Sequence, residues 1–386
     1  MRRTFVSEIA PNRSGDPTFS VLSRTDPACR LNTICPYYTM FPLDFPWTVL
    51  ADATAEQLVL DPFCGRGTTL FAARLRGLSS VGIDASPVAA ALARAKLSSP
   101  HPNLVVRRCE ELLANGYEPR QLPMGAFWDH AYESNTLLEI CRLREQLLNG
   151  GDEPATTVLR ALLLGILHGP LQKGKPTYLS NQMPRTYAPK PTYAERFWRD
   201  RSLSPPAVSV LDAVRRRAAF TLAARPPATP GSVRLGDCET EIPRLRRRFA
   251  WIVTSPPYYG MRTYLPDQWL RLWFLGGKPT VDYSTVVRTD YRGVEGFVKK
   301  LATIWRVTST RCVPGARLVV RLGALPSQRQ DPSELFRRSI QEADAGWQIG
   351  RLVPAGISPN WSRQAQQFSH AGAYVEEVDG YASLAS

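Results

Sequence analysis

Short apolar segments that each end in an acidic residue constrain this chain more than any other feature. Three of them are present, and they end at Asp61, Asp84 and Asp237. A glycine-containing loop follows the first acid, and an alanine-rich helical segment follows the second. Strands that alternate with helices predict a doubly wound α/β fold, in which ligands bind beyond the carboxyl ends of parallel strands. We therefore expect the three carboxylates at one crevice.

The alternation of predicted strands and helices divides the chain into regions. Further strands are predicted at 251–253, 317–322 and 347–354, and helices at 68–76, 135–148, 154–167, 208–224, 295–309 and 333–343. The α/β alternation is interrupted by a mainly helical stretch with proline clusters. The resulting division is an N-terminal polar arm at 1–35, an α/β domain formed by 36–100 plus 231–386, and an inserted helical and loop region at 101–230.

The charge balance points to a polyanionic partner. Lysine and arginine number 48 against 34 acidic residues, a net charge of +14, and only seven of the basic residues are lysine. Arginine suits phosphates and guanine edges better than lysine does, so nucleic acid is the first partner to consider. Codon usage in a GC-rich genome would raise the arginine content in the same way, and charge alone does not separate the two explanations.

Other classes of protein are disfavoured by what the sequence lacks. A membrane-spanning helix needs about 20 apolar residues, and the longest such run is 161–167. The seven cysteines are odd in number and include no C-x-x-C pair, and the four histidines are scattered. We therefore expect no membrane association, no metal site and no disulfide framework. The expected location is the cytoplasm.

The loop after the first strand carries the strongest family signal. It runs from Asp61 to Thr69 as DPFCGRGTT, without the lysine of a phosphate-binding loop and without the third glycine of a dinucleotide fingerprint. It closely resembles motif I of DNA amino-methyltransferases. The resemblance implies a Rossmann-like class I methyltransferase with a mostly parallel seven-stranded sheet, and S-adenosyl-L-methionine as the cofactor.

The resemblance also assigns cofactor-binding residues. Asp61 and its loop would face the methionine part, Asp84 the ribose hydroxyls, and Asp237 the adenine amino group. The segment 36–42 is similar to motif X of the family, which closes over the methionine carboxylate. The full set implied is Thr39, Phe41, Asp61, Pro62, Phe63, Gly65, Gly67, Thr68, Asp84, Ala85, Asp237 and Cys238.

A second loop, Ser255-Pro256-Pro257-Tyr258, directly follows a predicted strand. Two prolines remove two backbone N–H donors and keep the carbonyl acceptors, so the loop suits an exocyclic base amine. Bonds from that amine to the Ser255 hydroxyl and the Pro256 carbonyl would free its lone pair for attack, and Tyr258 would stack on the extruded base. The string resembles the Ser-Pro-Pro-Tyr motif of cytosine-N4 enzymes. Adenine-N6 chemistry remains the alternative, whereas cytosine-C5 chemistry is excluded because no Pro-Cys pair is present.

Candidate nucleic-acid contacts follow this loop and also lie in the insertion, which we interpret as the target-recognition region. Basic, aromatic and amide side chains interleave there, a composition that suits contacts to phosphates and base edges. A solvated loop and ordinary packing are the alternatives. The candidates are Arg262, Tyr264, Tyr259, Asn181, Arg185 and Lys190.

The expected function is site-specific methylation of the N4 amine of cytosine in double-stranded DNA, within a restriction-modification or related defence system. A cognate restriction endonuclease is a candidate partner, and the enzyme would be associated with the nucleoid. The alternatives are adenine-N6 methylation of DNA, methylation of an RNA base amine, and a catalytically silent DNA-binding subunit. The sequence does not specify an oligomeric state.

Overall fold

The sheet predicted from the sequence is present. A computed structural model describes residues 26–37, 41–170, 177–184, 189–260, 265–281, 293–324, 329–355 and 376–385. The strands are β1 (Val59–Asp61), β2 (Ser80–Asp84), β3 (Gly231–Leu235), β4 (Phe249–Thr254), β5 (Cys312–Ala324), β6 (Trp347–Pro354) and β7 (Glu376–Leu384). These seven described strands lie in the order β3-β2-β1-β4-β5-β7-β6, with β7 antiparallel to both neighbours and the other pairs parallel. The predicted Rossmann-like α/β fold with a mostly parallel seven-stranded sheet is confirmed for the described residues.

Helices cover both faces of the sheet. Those in the described part of the chain are α1 (Asp44–Val49), α2 (Thr68–Leu75), α3 (Pro87–Lys96), α4 (Pro102–Ala114), α5 (Ala126–Ala131), α6 (Ser134–Asn149), α7 (Pro154–Ile166), α8 (Pro191–Arg199), α9 (Val210–Thr221), α10 (Cys238–Glu241), α11 (Trp269–Phe274), α12 (Gly293–Ser309) and α13 (Pro332–Ala343). Because successive strand side chains point to opposite faces, Val59 packs with Phe45 of α1, whereas Leu60 packs with Trp305 of α12. The sheet is thus buried on both sides, as a parallel sheet requires.

The region 101–230 forms a helical layer on the face that carries α2 and α3. Helices α4, α6, α7 and α9 pack against one another, and α7 packs on α3. One apolar cluster runs from Phe71 of α2 and Leu92 of α3 to Leu163 of α7 and Val214 of α9. The mainly helical character predicted for this region is present, and its core is continuous with that of the α/β unit.

Residues 26–35 differ from the predicted polar arm. A 3-10 helix at Pro27–Thr33 begins after Asp26, which accepts a hydrogen bond from the backbone N–H of Ala28. Leu31 and Ile34 are 1% and 0% exposed and belong to the cluster shared with the helical layer. A segment this short has too few turns to show a helical repeat in its sequence, so its burial left no periodic signal.

Candidate functional site

The strand order places the predicted site at one edge of the sheet. β1 lies between β2 and β4, so the order of the strands reverses at β1. In open α/β sheets the ligand crevice lies beyond the carboxyl ends of the strands at such a reversal. Asp61 and Asp84 are the last residues of β1 and β2, and Ser255 directly follows β4. Asp237 comes two residues after the end of β3, at the far side of the same edge.

Asp61 is a fully buried carboxylate, and only one of its two oxygens has hydrogen-bond partners among the described residues. Its Oδ1 accepts hydrogen bonds from the Thr254 hydroxyl at 2.6 Å and from the Phe63 backbone N–H at 3.1 Å. Its Oδ2 is buried and has no hydrogen-bond partner among the described residues. Burial raises the pKa of Asp61 to about 6, against the lowering effect of these hydrogen bonds. A buried carboxylate oxygen left in this way is costly unless a cationic or hydrogen-bonding ligand meets it.

Asp84 holds the glycine loop against the end of β2. Its Oδ2 accepts a hydrogen bond from the Gly65 N–H, and its Oδ1 accepts one from the Ser86 N–H, both at 2.8 Å. Burial raises its pKa, and these two bonds act in the opposite direction. Each carboxylate oxygen has a second lone pair, so Asp84 can fix the loop and still accept hydrogen bonds from a diol. The neighbouring Ala85 is exposed.

The glycine loop after β1 requires glycine at position 67, where its backbone contacts α3. Gly67 has a φ of +79°, and a Cβ placed there would lie 2.8 Å from the Cβ of Ala93. This close approach lets α2 begin directly at Thr68. Pro62 and Thr68 are buried, and Phe63 packs against the cluster on the α12 face. The backbone of the loop is thereby held at the crevice.

Asp237 and Cys238 lie in different surroundings. Asp237 caps α10 by accepting a hydrogen bond from the Glu239 N–H at 2.8 Å, and its carboxylate is 3.6 Å from the Lys300 ammonium. Its side chain is 53% exposed. Burial raises the pKa of the Cys238 thiol to about 12, so this thiol stays protonated and packs among apolar side chains. Any contact from Cys238 to a ligand would therefore come from its backbone.

The segment before β1 brings an unpredicted tyrosine to the site. Thr39 lies outside the described residues, and Phe41 packs edge-on against Phe45 with ring centroids 5.4 Å apart. Tyr37 hydrogen-bonds the Ser86 side chain and lies close enough to Asp84 for that charge to raise its pKa, although burial is the larger cause. Sequence reasoning included Tyr37 in the similar segment but did not select it.

The Ser-Pro-Pro-Tyr loop leaves β4 next to Asp61. Thr254, the last residue of β4, is fully buried and donates the 2.6 Å hydrogen bond to Asp61. Ser255 and Pro257 are half-buried and Pro256 is buried. The end of β1 and the start of this loop are therefore joined by a direct hydrogen bond, so the two predicted loops form one site.

Tyr258 is held by a residue that sequence reasoning missed. Its hydroxyl donates a hydrogen bond of 2.7 Å to Glu377 Oε1 on β7, 119 residues away. Its ring lies over Gly323 of β5, where an added Cβ would be 2.6 Å from a ring carbon. No local motif marks Glu377, because its place beside the loop arises only from the antiparallel pairing of β5 with β7.

Three of the six predicted nucleic-acid residues lie in the described part of the chain, namely Asn181, Lys190 and Tyr259. The prediction that Asn181 contacts nucleic acid is wrong. Asn181 is buried, and its side-chain amide donates hydrogen bonds to the carbonyls of His130 and Leu203. It therefore stabilises the helical layer and is not placed to contact a base. Tyr259 is half-buried, with its ring 5.3 Å from that of Phe297. Lys190 is exposed before α8. Arg185, Arg262 and Tyr264 lie outside the described residues.

Two further expectations concern membranes and metals. Within the described ranges, no helix is long and apolar enough to cross a membrane. The same residues contain no group of three or more histidine, cysteine or acidic side chains arranged to hold a metal ion. All seven cysteines are buried and unpaired, and they pack in the interior.

Comparisons with known proteins found solved structures of low identity and one family model that matches the segment containing the first motif. The chain is similar to the rRNA methyltransferase aviRa from Streptomyces viridochromogenes, at 15% identity over 94% of each chain with a TM-score of 0.35. It is also similar to TrmN from Thermus thermophilus, at 11% identity over 92% of this chain and 53% of that one, with a TM-score of 0.36. No curated protein matches the sequence. The model of the N6 and N4 DNA methylase family matches residues 13–95, a range that includes β1, the glycine loop and β2.

Proposed function

We propose that this chain is an S-adenosylmethionine-dependent DNA methyltransferase that acts on the N4 amine of cytosine. The observation that carries the proposal is the hydrogen bond between Thr254 and Asp61. It joins the candidate cofactor loop to the Ser-Pro-Pro-Tyr loop at the point where the strand order reverses. A group-transfer enzyme needs its donor site and its acceptor site in contact, and the adjacency of the two candidate loops supports the proposal for that reason.

The residues present fit the cofactor. The unpartnered Oδ2 of Asp61 suits the ammonium of the methionine part, and Asp84 suits the ribose hydroxyls. A Cβ at Gly67 would collide with Ala93, so glycine keeps the loop backbone close to α3. Asp237 and the Cys238 backbone would hold the adenine. When bound, S-adenosylmethionine supplies a methyl group on a positively charged sulfur.

The loop after β4 prepares the amine for transfer. The exocyclic amine of cytosine donates its two hydrogens, and the Ser255 hydroxyl oxygen and the Pro256 carbonyl accept them. These bonds favour a pyramidal nitrogen whose lone pair is free to attack the methyl group. Tyr258, packed on Gly323, presents a ring against which the base stacks. We expect most of the rate acceleration of methyl transfer to come from holding the amine in position and from placing hydrogen-bond acceptors around it.

Duplex DNA is the substrate that the remaining observations favour. The match of residues 13–95 to the DNA methylase model supports it, and so does the net charge of +14, which suits a phosphate backbone. A base inside a duplex must leave the stack to reach a pocket at the sheet edge. Methylation of a specific site, in a restriction-modification or related defence system at the nucleoid, is the role that follows.

The test is methyl transfer from tritiated S-adenosylmethionine to duplex DNA, single-stranded DNA and tRNA, followed by nucleoside analysis. We expect label in N4-methyldeoxycytidine from duplex DNA. Label in N6-methyldeoxyadenosine would correct the base, and label in tRNA alone would correct the nucleic acid. Binding of DNA without transfer to any substrate would identify a silent DNA-binding subunit and contradict the proposal.

A further inference from the structure

One short helix of the insertion, α8, carries a row of exposed basic and aromatic side chains. The opposite side of the helix holds Ala194 and Trp198, which are completely buried. Members of the exposed row stand three positions apart in the sequence, so they lie next to one another along one side of the helix. We call this row the α8 face, and its exposed residues are Lys190, Tyr193, Arg196 and Arg199.

The two arginines of the α8 face are not neutralised within the described structure. Arg196 and Arg199 each have an acidic residue four positions away in the sequence, yet neither guanidinium forms an ion pair or a hydrogen bond with any described residue. Arg107 and Arg215, which are exposed elsewhere in the insertion, each bind a glutamate, at 3.0 and 3.2 Å. The α8 face therefore presents positive charge that has no acidic partner among the described residues.

Buried contacts fix the position of α8. The Trp198 indole N–H donates to the carbonyl of Gln182 at 3.2 Å, and its ring centroid lies 5.7 Å from that of Phe127. Asn181 donates to the carbonyl of Leu203 at 3.3 Å, just beyond the end of the helix. The residue that was wrongly predicted to contact a base thus helps to hold the helix. Because α8 is already ordered, a partner that binds it loses little conformational entropy.

A first set of contacts places α8 on the side of the fold that carries the glycine loop. Arg66 of that loop donates to the Cys35 carbonyl at 3.3 Å. A Cβ on Gly165, near the end of α7, would lie 3.3 Å from the Cα of Cys35. The end of α7 is therefore close to the glycine loop. His168 follows α7 directly, and its ring centroid lies 6.2 Å from that of Trp198 on α8.

A second contact ties α8 to the segment that follows the Ser-Pro-Pro-Tyr loop. Trp269, the first residue of α11, donates its indole N–H to the carbonyl of Pro189 at 2.8 Å, in the interior. Pro189 directly precedes Lys190, the first residue of the α8 face. Both candidate loops are thus connected to α8 through buried contacts. A duplex that delivers a base to the crevice must lie against the surface around it, and the α8 face is part of that surface.

We propose that the α8 face binds the phosphate backbone of the duplex whose target base enters the site. The inference rests on the proposed function, because it concerns the substrate of the same site. Nine helical residues at about 1.5 Å each span about 13 Å, the length of about four base pairs. Arginine forms charge-assisted bidentate bonds with phosphate, and a tyrosine hydroxyl also donates to phosphate oxygens. The face therefore matches a stretch of double helix in both charge and length.

The experiment replaces Arg196 and Arg199 together with glutamine and measures the Kd for a fluorescein-labelled duplex of mixed sequence. Fluorescence anisotropy follows binding between about 50 and about 200 mM potassium chloride. We expect the Kd at about 100 mM salt to rise about 10-fold. The slope of log Kd against log salt should fall by about 2, because each lost phosphate contact removes about 0.9. The Tm and the Kd for S-adenosylmethionine should stay at wild-type values.

The matched control is the double variant Arg246→Gln and Arg247→Gln. Both arginines are exposed and directly precede β4, so they lie at the opposite edge of the sheet from the Ser-Pro-Pro-Tyr loop. The two double variants lose the same charge, and the control should keep a DNA affinity and a salt slope close to those of the wild type. The single variant Arg196→Gln should lower the slope by about 1, which gives a second measurement should the double variant fold poorly.

Equal losses in the two double variants would overturn the inference, because the affinity would then follow net charge and not the α8 face. So would a salt slope that stays at the wild-type value after substitution of Arg196 and Arg199, or tighter binding of tRNA than of duplex DNA through the same residues. None of these measurements requires methyl transfer. A wild type that binds duplex DNA through the α8 face but methylates no substrate would support this inference and contradict the proposed function.

Discussion

The carboxylates at the two halves of the sheet edge, one formed by β1 and β4 and the other by β2 and β3, differ in burial and in hydrogen bonding. In the β1/β4 half, Asp61 and Thr254 are completely buried, and one oxygen of Asp61 has no partner within the described structure. In the β2/β3 half, Asp84 is half-buried with both oxygens bonded to backbone, and the Asp237 side chain is 53% exposed. The β3 strand is also mostly exposed.

Under the proposed function, this difference separates a carboxylate oxygen that needs a ligand from carboxylates that backbone or water already satisfies. A buried carboxylate without a full set of partners costs stability, so under the proposed function a bound ligand that meets Asp61 stabilises the β1/β4 half. The β2/β3 half uses groups that water or backbone already satisfies, and it can bind a ligand through several weak contacts. Substitutions in the β1/β4 half should therefore have the larger effects.

The largest effect is expected at Ser255. Ser255→Ala removes one acceptor for the target amine, and we expect the single-turnover rate to fall on the order of 10²- to 10³-fold. The Kd for S-adenosylmethionine should not change, because Ser255 is placed on the base side of the site. Rapid-quench methyl transfer and equilibrium dialysis measure the two quantities. An unchanged rate would remove Ser255 from the reaction.

A smaller but still large effect is expected at Asp61. Asp61→Asn should weaken S-adenosylmethionine binding about 10- to 100-fold, because a bond between a carboxylate and an ammonium contributes about 1.5–3 kcal/mol. In the wild type, the affinity should fall as the pH is lowered through about 6, where Asp61 becomes protonated. Calorimetric titrations between pH 5 and 8 should show this dependence in the wild type and not in the variant. An equal pH dependence of the affinity in the wild type and in Asp61→Asn would contradict the assignment of Asp61 to the ammonium of the cofactor.

The glycine loop between the two halves should be sensitive through packing. Gly67→Ala adds a Cβ 2.8 Å from Ala93 in a left-handed conformation, and we expect a loss of about 1–3 kcal/mol in unfolding free energy beyond the backbone strain. Gly77→Ala is the matched control: its φ is +72°, but no described atom lies within 4 Å. It should lose only about 1–2 kcal/mol. Urea denaturation measures both, and an equal loss would show that the contact with α3 does not matter.

The smallest effect is expected in the β2/β3 half. Asp237→Asn keeps an oxygen to cap α10 and loses an exposed ion pair with Lys300. The Asn oxygen can still accept a hydrogen bond from the adenine amino group, and loss of the charge at this exposed position costs about 1 kcal/mol or less, so the Kd for S-adenosylmethionine should change within about fivefold. An effect as large as that of Asp61→Asn would mean that the two halves do not differ as described.

Local sequence patterns were sufficient for six of the seven described strands and for the position of both loops, but they did not predict β7 (Glu376–Leu384). Runs of apolar residues that end in Asp61 and Asp84 predict buried parallel strands, and the parallel order then brings their ends together. The partner of Tyr258 could not be predicted, because Glu377 is 119 residues away and reaches the loop only through antiparallel pairing. Asn181 was misassigned for a related reason: its polar surroundings in the sequence do not reveal that helices bury it.

The central claim is that the β1/β4 half transfers a methyl group to the N4 amine of cytosine. The most direct measurement is mass spectrometry of nucleosides from the DNA of cells that lack their own DNA methyltransferases and express either the wild type or Ser255→Ala. We expect N4-methyldeoxycytidine with the wild type and little or none with the variant. The same level of N4-methyldeoxycytidine in both, or none with a folded wild-type protein that binds S-adenosylmethionine, would contradict it.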